Sequence, residues 1–439
     1  MAVPLAAQTR PSLRVLGSFF LLGMLNNMGY VIMLAGATTI SASGVGLVYL
    51  CAIVPSLSVK ASAPHWFHRV RYGPRMATCA ALMSASFCAV ALSRTRSAAL
   101  LGVALGALQG GLGEASMLAL SARYGGPAPL TAWASGTGLA GLGGYAWVGL
   151  LHDLCGLSFP ATLLLANALA AAYAAAYFRG LGDPGKGATE SPSPRDARRR
   201  FLPEPKESTP RAEDAAGPSS APDERATEQR PLLALETASE GSIRGEAIVS
   251  SVRSMTARER LGASLALWPC AAPLFLVFFS EYALQAGTWS AVGFPVSDAE
   301  ARRRFYVVAN ALYQAGVFVS RSSGTLWEAS LAALWAMPLL QAALLVGLTA
   351  NAAALWWNDW SLAAPCFLVG LLGGAVYVQA FARIAREAEP HLREFSLAAA
   401  SLADALGIAL ADAVAVLIQG CLFRVHGIRG ADFGCGWEG

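Results

Sequence analysis

A succession of long apolar segments is the feature that most constrains how this chain can fold. An α-helix needs about 20 mostly apolar residues to cross the hydrocarbon core of a bilayer, and the chain offers eleven segments of roughly this length. These lie at residues 15–37, 45–64, 76–93, 98–122, 131–151, 158–178, 266–290, 305–320, 329–350, 361–382 and 395–421. The sequence therefore predicts an all-α polytopic membrane protein with about eleven transmembrane helices.

Charged residues are concentrated in one segment between the sixth and seventh predicted spans. Of the 32 basic and 28 acidic residues in the chain, 14 basic and 14 acidic ones lie between Arg179 and Arg260. The segment is also rich in proline and serine, so it cannot bury enough apolar surface to offset the entropy lost on ordering. The predicted organisation is an N-terminal six-helix half at 1–178, a disordered cytosolic linker at 179–260 and a C-terminal helical half at 261–439.

The predicted linker contains a short sorting pattern. Glu228, Leu232 and Leu233 fit the arrangement acidic-x-x-x-Leu-Leu. An accessible cytosolic segment is where an adaptor could bind such a pattern, so clathrin-adaptor sorting machinery is a predicted partner.

Basic residues near the ends of the spans predict the orientation. Those assigned to the N-terminal face are Lys60, Arg69, Arg71 and Arg75 in the loop after span two, and then Arg123, Arg179, Arg321, Arg383 and Arg386. Short loops rich in lysine and arginine remain in the cytosol, so the N-terminus is predicted to be cytosolic. Arg94 and Arg96 fall on the opposite face and are exceptions.

Polar residues inside the spans are the candidate functional residues, because a charge at the centre of a membrane helix costs about 2.5 to 3.5 kcal/mol on insertion scales. They are Asn26 and Asn27 in span one, Glu114 in span four, Glu281 in span seven, and Asp404 and Asp412 in span eleven. Glu281 is the strongest candidate for a proton relay or a substrate contact, and a structural hydrogen bond between helices is the alternative. Asp412 is expected near the lumenal end, where water can reach it.

Arg321 closes span eight, shortly after Tyr313 and Gln314. Its guanidinium group could bind a phosphate or a carboxylate with two hydrogen bonds, and an ordinary anchor at the membrane surface is the equal alternative. The segment Gly136-Thr137-Gly138 lacks the lysine of a phosphate-binding loop, so close helix packing is predicted there.

The sequence contains no pattern typical of an enzyme. Neither HExxH nor GxSxG occurs, and we predict no catalytic residues, no metal site and no cofactor. No clustered basic face indicates nucleic-acid binding. The eight cysteines are interpreted as small core residues rather than as a disulfide or zinc framework.

A faint internal repeat relates span four to span ten at an offset of 260 residues. The matching pairs are Gly110 with Gly370, Gly113 with Gly373, Ala115 with Ala375, Ala122 with Ala382 and Arg123 with Arg383. The pattern R-x-G-x-R at 71–75 also resembles part of the loop between spans two and three of major facilitator transporters. Both signals favour a major-facilitator-like bundle of two parallel half-repeats.

Longer motifs resemble one particular family. They are Leu21-Leu22-Gly23-Met24-Leu25-Asn26-Asn27, Gly111-Leu112-Gly113-Glu114, Ser135-Gly136-Thr137-Gly138, Glu281-Tyr282, Leu312-Tyr313-Gln314-Ala315-Gly316-Val317-Phe318, Ser320-Arg321-Ser322-Ser323, Gly370-Leu371-Leu372-Gly373-Gly374-Ala375 and His391-Leu392-Arg393-Glu394-Phe395. In these segments the chain resembles the battenin family of neuronal ceroid-lipofuscinosis membrane proteins. The resemblance implies a late-endosomal and lysosomal membrane protein that clears glycerophosphodiesters. It also implies links to lysosomal pH, autophagy and endolysosomal traffic, and it makes Glu281, Arg321 and Asp404 functionally sensitive positions.

The expected function is export of a small anionic glycerophosphodiester through the lysosomal lipid bilayer. The two halves would rock around a central site, with Arg321 at the phosphate and with Glu281 and Asp404 coupling protons or lining the cavity. The alternatives are basic amino-acid transport, pH regulation, or a non-transporting scaffold that recruits trafficking proteins through the linker.

Overall fold

The computed structural model describes residues 11–36, 45–124, 127–181 and 255–428, and all regular secondary structure in these ranges is helical. The helices, in chain order, are α1 (Leu13–Ala35), α2 (Val45–Trp66), α3 (Tyr72–Ala91), α4 (Arg96–Ser121), α5 (Ala128–Val148), α6 (Phe159–Leu181), α7 (Ala257–Ala266), α8 (Trp268–Ala283), α9 (Ala299–Arg321), α10 (Leu331–Ala354), α11 (Ala363–Glu387) and α12 (Arg393–Val425). Of these, α6 combines two α-helical segments with a final π-helical turn.

Eight helices in the described ranges are long and apolar enough to cross a membrane: α1, α3, α4, α6, α8, α10, α11 and α12. The other long helices, α2, α5 and α9, pack among them. The first turns of α9 carry Glu300 and Arg302–Arg304, which lowers the apolar character of that helix. The prediction of an all-α, multi-pass membrane protein is confirmed, and the count of eleven crossings stays a prediction.

Helix starts follow the local sequence, because a side-chain oxygen at the N-cap satisfies backbone N–H groups that have no partner inside the helix. The Ser12 hydroxyl accepts from the Val15 amide at the start of α1. Asp298 does the same for the first amides of α9. At α7, Thr256 and Glu259 form a reciprocal capping box. The hydrogen bonds from Thr256 hold the pKa of Glu259 below its usual value.

The capping box at α7 changes the predicted boundary of the linker. The sequence prediction extended the disordered segment to residue 260, but the chain is already helical from Ala257. The threonine and glutamate that make this stretch look polar are the residues that begin the helix, which is why charge alone placed the boundary too late.

The two halves repeat the same packing. In the first half α1 packs on α5 and α2 packs on α4, and in the second half α8 packs on α12 and α9 packs on α11. Glycines bring the equivalent pairs together. Gly136 of α5 lies against the carbonyl of Phe20 on α1, and Gly407 of α12 lies against the carbonyl of Phe275 on α8. The close packing predicted for the Gly136-Thr137-Gly138 segment is therefore present.

The repeat predicted between spans four and ten has a structural counterpart. Gly113 of α4 faces the side chain of Asn26 on α1, and Gly373 of α11 faces the side chain of Glu281 on α8. Each half thus presses one polar side chain of its first helix against a glycine of its fourth long helix. Between the halves, α2 packs on α12 and α5 packs on α9. These two contacts are equivalent, because α2 corresponds to α9 and α5 corresponds to α12 in the repeat.

The described residues belong to one compact unit that contains both halves. Residues 182–254 lie outside the described residues. The sorting pattern at Glu228, Leu232 and Leu233 falls among them and stays a prediction.

The cysteines only partly follow the sequence interpretation. Six of those that the structure describes are free thiols: Cys51, Cys79, Cys88, Cys155, Cys270 and Cys366. Cys421, near the end of α12, is disulfide-bonded. The expectation of unpaired cysteines is therefore wrong for Cys421. The sequence analysis missed this pairing because the spacing of the cysteines does not indicate it.

The Gly136 contact predicts a strong effect of one added methyl group. In Gly136→Ala the new Cβ would collide with the carbonyl of Phe20, and overpacking of this kind costs about 1 to 3 kcal/mol. Gly110→Ala is the matched control, because no described atom lies within 4 Å of the place where its new methyl group would sit. Thermal unfolding of the purified protein in detergent should show a lower Tm for Gly136→Ala alone. Equal Tm values for the two variants would contradict this packing.

Candidate functional site

A cavity of about 730 Å³, its open mouth included, lies between the two halves. It is lined by α1, α5 and α9, and by the end of α8 with the π-helical turn Leu284–Thr288 that continues it. Four residues singled out from the sequence line it: Asn27, Tyr313, Gln314 and Arg321. π-Helical turns inside longer helices are frequent at functional sites, which fits the location of this one.

The cavity lies toward one face of the bundle. We call the face where α1 begins the N-terminal face and the opposite face the distal face. The lining residues on α1 run from Asn27 to Leu34, in the distal part of that helix. On α5 they run from Thr137 to Tyr145, and this helix also begins at the N-terminal face. The cavity is therefore set toward the distal face.

Arg321 is buried at the end of α9 and lines the cavity. One of its terminal nitrogens, Nη1, donates to the Thr137 hydroxyl at 2.7 Å, and its guanidinium carbon lies 4.0 Å from the centre of the Tyr377 ring. Its Nε is buried without a hydrogen-bond partner in the described ranges. Of the two interpretations offered by the sequence, a surface anchor is wrong, because the side chain points into the protein and keeps one donor unused.

Behind Arg321, a chain of polar contacts leads deeper into the bundle. The Tyr377 hydroxyl donates to Glu114 Oε1 at 2.9 Å. Glu114 Oε2 lies 2.7 Å from the amino nitrogen of Lys60. The same Lys60 nitrogen contacts both Asp404 oxygens, at 3.1 and 3.2 Å. Lys60 therefore joins α2 to α4 within the first half and to α12 across the boundary between the halves.

Lys60 corrects the sequence analysis. There it counted as a cation of the loop after span two, whereas it lies within α2 and is only 3% exposed. Glu114 and Asp404, predicted separately as candidates, both pair with it. The signal was available, since residue 60 falls inside the predicted span 45–64, and a lysine within a span needs an acidic partner.

Glu281 is buried on α8, directly behind the cavity wall. Its Oε2 has no hydrogen-bond partner among the residues that the structure describes, and it packs against Gly373. Tyr313 and Arg321 are its polar neighbours. An ionised carboxylate is costly to bury when it is not fully paired, so this group is suited to bind and release a proton.

Asn26 and Asn27, adjacent in sequence, have different roles. The Asn26 amide accepts from Gln109 at 2.8 Å and donates to the Gly110 carbonyl at 3.2 Å. These bonds hold α1 to α4, and interhelical bonds of this type in membranes average about 0.6 kcal/mol. Asn26 is therefore a packing residue, while Asn27 lines the cavity.

Asp412 is 6% exposed, and both of its carboxylate oxygens are buried without a hydrogen-bond partner among the described residues. The expectation that water reaches it is not met. Its electrostatic neighbours include Tyr30 and Tyr282, which both line the cavity.

At the N-terminal face, one cluster connects the halves. Glu394, at the start of α12, accepts from Arg123 at 2.7 Å and from the Tyr72 hydroxyl at 2.6 Å. Arg75, from the R-x-G-x-R pattern, is buried 4.0 Å from the centre of the Tyr72 ring and donates to Ser116 at 3.1 Å. These contacts join the two halves at the N-terminal face.

Among the described residues, no group of three or more His, Cys, Asp or Glu side chains is arranged to hold a metal ion. The polar groups of the cavity are hydroxyls, amides and a guanidinium group. Such a set suits a small polar or anionic organic molecule.

The fold is that of major facilitator transporters. The chain superimposes on the proton:xylose symporter XylE with a TM-score of 0.59 and 11% identity, covering 95% of this chain and 91% of that one. It superimposes on the human organic anion transporter MFSD10 with a TM-score of 0.55 and 15% identity, covering 95% and 98%. At these identities the likeness concerns the fold alone, and it confirms the predicted two-half bundle.

Sequence relatives identify the family. The family model for the CLN3 protein matches residues 17–425. Protein btn1 of Aspergillus fumigatus is 33% identical over 436 residues, covering 96% of this chain and 90% of the relative. Battenin of Canis lupus familiaris is 32% identical over 437 residues, covering 91% and 89%. The chain belongs to the CLN3 protein family, as its motifs predicted.

The Lys60 cluster predicts strong coupling between Lys60 and Asp404. Removing one partner of a buried ion pair leaves the other charge uncompensated, at a cost of about 3 to 5 kcal/mol. Lys60→Gln should therefore lower the free energy of unfolding strongly. Adding Asp404→Asn should recover part of the loss, with a coupling energy of about 0.5 to 3 kcal/mol.

The measurement is a double-mutant cycle of unfolding free energies in mixed micelles. The exposed pair Glu300–Arg303 on α9 is the control, and its cycle should give a coupling of about 0.5 kcal/mol or less. Additive effects of Lys60→Gln and Asp404→Asn would show that the two groups do not interact.

Proposed function

We propose that this protein is a transporter that exports glycerophosphodiesters from the lysosome, with the phosphate bound by Arg321 in the cavity between the halves. The observation that carries this proposal is the buried guanidinium group at the cavity, which keeps an N–H donor without a partner in the described part of the chain. A phosphodiester oxygen supplies the missing acceptor, and charge-assisted bonds of this kind are among the strongest hydrogen bonds.

The lining of the cavity supports a ligand of this class. Small-molecule sites are lined by apolar and aromatic side chains with a few convergent polar groups, and the lining here combines tyrosine rings, amides and the Arg321 guanidinium group. The lining amides of Asn27 and Gln314 offer donors and acceptors for the glycerol hydroxyls.

The direction of transport follows from the two faces. With the N-terminus in the cytosol, as the basic residues indicate, the distal face is the lumenal face. The present conformation then has its cavity toward the lumen, and Glu394, Arg123 and Tyr72 join the halves at the cytosolic face. Rocking of the halves would break these contacts and release the substrate into the cytosol.

Glu281 is the proposed proton-coupling group. Three carboxyl groups, on Glu114, Glu281 and Asp404, lie near two cations, on Lys60 and Arg321. Glu114 and Asp404 share Lys60. Of these three carboxyl groups, Glu281 keeps one buried oxygen without a partner among the described residues. A bound proton would neutralise its carboxylate, as Lys60 does for the other two. The acidic lumen would supply that proton.

Basic amino-acid transport is the second candidate. It is favoured by the buried carboxylates of Glu281 and Asp412, which lie next to the cavity and would attract a cationic ligand. The scaffold function and the sorting pattern depend on the linker and remain proposals that its deletion would test, with lysosomal targeting supplied by another signal. Links to lysosomal pH and autophagy would follow from transport.

The phosphate assignment is tested with Arg321→Gln and Arg321→Lys. Losing a guanidinium–phosphate interaction should lower uptake of labelled glycerophosphoinositol into proteoliposomes by about tenfold or more. Lysine should restore it only partly, because it keeps the charge without the planar pair of donors. Arg303→Gln, an exposed change on the same helix, should transport normally. Wild-type uptake by Arg321→Gln would refute the assignment, and uptake of labelled lysine instead of the diester would favour the second candidate.

The proton assignment is tested with Glu281→Gln, which resembles the protonated carboxyl group. We expect wild-type uptake to increase when the vesicle compartment facing the distal side is acidified, and this dependence should disappear in Glu281→Gln while exchange of substrate across the membrane continues. The measurement is uptake against the imposed pH difference. An unchanged pH response in Glu281→Gln would exclude Glu281 as the coupling group.

A further inference from the structure

The short helix α7 carries an exposed apolar strip at the N-terminal face of the bundle. Leu261 and Leu265 on α7 and Trp268, the first residue of α8, follow one another at intervals of four and three residues, the spacing of neighbours on one side of a helix. Their side chains are 61%, 65% and 62% exposed. Large apolar side chains that are exposed together mark a surface that binds a partner or a membrane.

Another side of α7 is held against the bundle. Arg260 is 7% exposed, and its Nη1 donates to the carbonyl oxygen of His65, in the last turn of α2, at 3.3 Å. A cation suits this place, because the carbonyls at the end of a helix carry partial negative charge. Leu261 and Leu265 lie about 100° and 140° around the helix from Arg260, so both leucines are turned away from α2.

The length of the following span places α7 at the surface of the membrane. The segment Trp268–Ala291 has 24 residues, which is about 36 Å at 1.5 Å per residue, whereas the hydrocarbon core of a bilayer is about 30 Å thick. This segment therefore crosses the core by itself. Because α7 precedes it, an α7 that pointed straight out of the membrane would leave Leu261 and Leu265 in water.

The chain can change direction between α7 and α8. Leu267 lies outside both helices, with φ −78° and ψ 0°. Pro269 follows in the first turn of α8, and it has no amide hydrogen with which to continue the hydrogen bonds of α7. A break of this kind allows α7 to leave the axis of the span and to lie along the membrane surface.

A pair of tryptophans marks the level of the lipid headgroups. Trp268 packs edge-on against Trp335, in the second turn of α10, with ring centroids 5.9 Å apart. Tryptophans collect at the boundary between membrane and water, and the apolar strip of α7 continues directly into this pair. Arg258, one turn before Leu261, is exposed and can extend its charge toward an anionic headgroup.

We propose that α7 is an interfacial helix whose partner is the bilayer surface at the N-terminal face, with Leu261, Leu265 and Trp268 in the headgroup layer. The apolar side of such a helix lies about 5 to 10 Å deep, at the boundary between headgroups and acyl chains. The lipid surface then fixes the start of the second half, and the bond from Arg260 connects it to α2 of the first half. This role does not depend on which substrate is transported.

The test is fluorescence quenching of the full-length protein in nanodiscs of phosphatidylcholine and phosphatidylserine, with a genetically encoded fluorescent amino acid in place of Leu265. Lipids with a nitroxide near the headgroup should reduce its fluorescence more than lipids with a nitroxide deep in the acyl chain. Iodide in the water should reduce it little, because the side chain is shielded by lipid.

Ala266 is the matched control position. It is exposed and lies about 100° around α7 from Leu265, on the side away from the apolar strip. The same fluorescent amino acid at Ala266 should lose more fluorescence to iodide and less to the lipid nitroxides than the one at Leu265.

Two results would overturn the proposal. Equal iodide quenching at Leu265 and Ala266 would show that the apolar strip faces water. Protection of Leu265 from both iodide and the lipid nitroxides would show that protein covers the strip, either the linker or a second copy of the chain. Leu261 is an independent second position with the same expected result, which keeps the test decisive if the change at Leu265 prevents folding.

Discussion

The arrangement of the bundle depends on the contacts of the Lys60 amino group with two buried carboxylates. In an apolar environment one cation can compensate two carboxylates only if all three groups are held in contact, because each is expensive to remove from water. Lys60 contacts Glu114 and Asp404 within 3.2 Å, and these residues belong to three different helices. The requirement for charge pairing thereby fixes how α2, α4 and α12 meet. Through the Tyr377 hydroxyl on Glu114 and the Tyr377 ring beneath Arg321, it also fixes the inner end of the cavity.

Much of the fold could be predicted from the sequence, because membrane helices are specified by local apolar length. The family followed from the motifs, and glycine pairs such as Gly113 and Gly373 indicated the two-half repeat. The site was less predictable. Glu114, Glu281 and Asp404 stood out because charge is rare within spans. Their partners did not, since Lys60 was assigned to a basic loop. The tyrosines of the cavity look like ordinary apolar helix residues. A side chain's partner depends on which helices meet, and local sequence does not contain that information.

The boundaries also show where charge is an incomplete guide. Polar residues at Thr256 and Glu259 indicated a linker, although they cap a helix. Polar residues at the start of α9 made that span look short, although Asp298 begins a 23-residue helix there. In both cases the charged residues lie in the first turn or just before it, where backbone N–H groups need acceptors and acidic side chains supply them. A count of charges cannot separate capping residues from a disordered chain, but the spacing of Thr256 and Glu259 can.

The two halves share a scaffold and use it differently. The position on the first helix that faces a glycine of the fourth carries Asn26 in one half and Glu281 in the other. The second helix of each half carries a buried cation near its end, Lys60 or Arg321. In the first half both polar groups are fully occupied, Asn26 by the backbone and side chains of α4 and Lys60 by two carboxylates. In the second half Glu281 and Arg321 each keep a polar atom that no described residue engages. The repeat is therefore saturated in one half and unsaturated in the other. This asymmetry means that the polar atoms left without a partner among these four positions all belong to the second half.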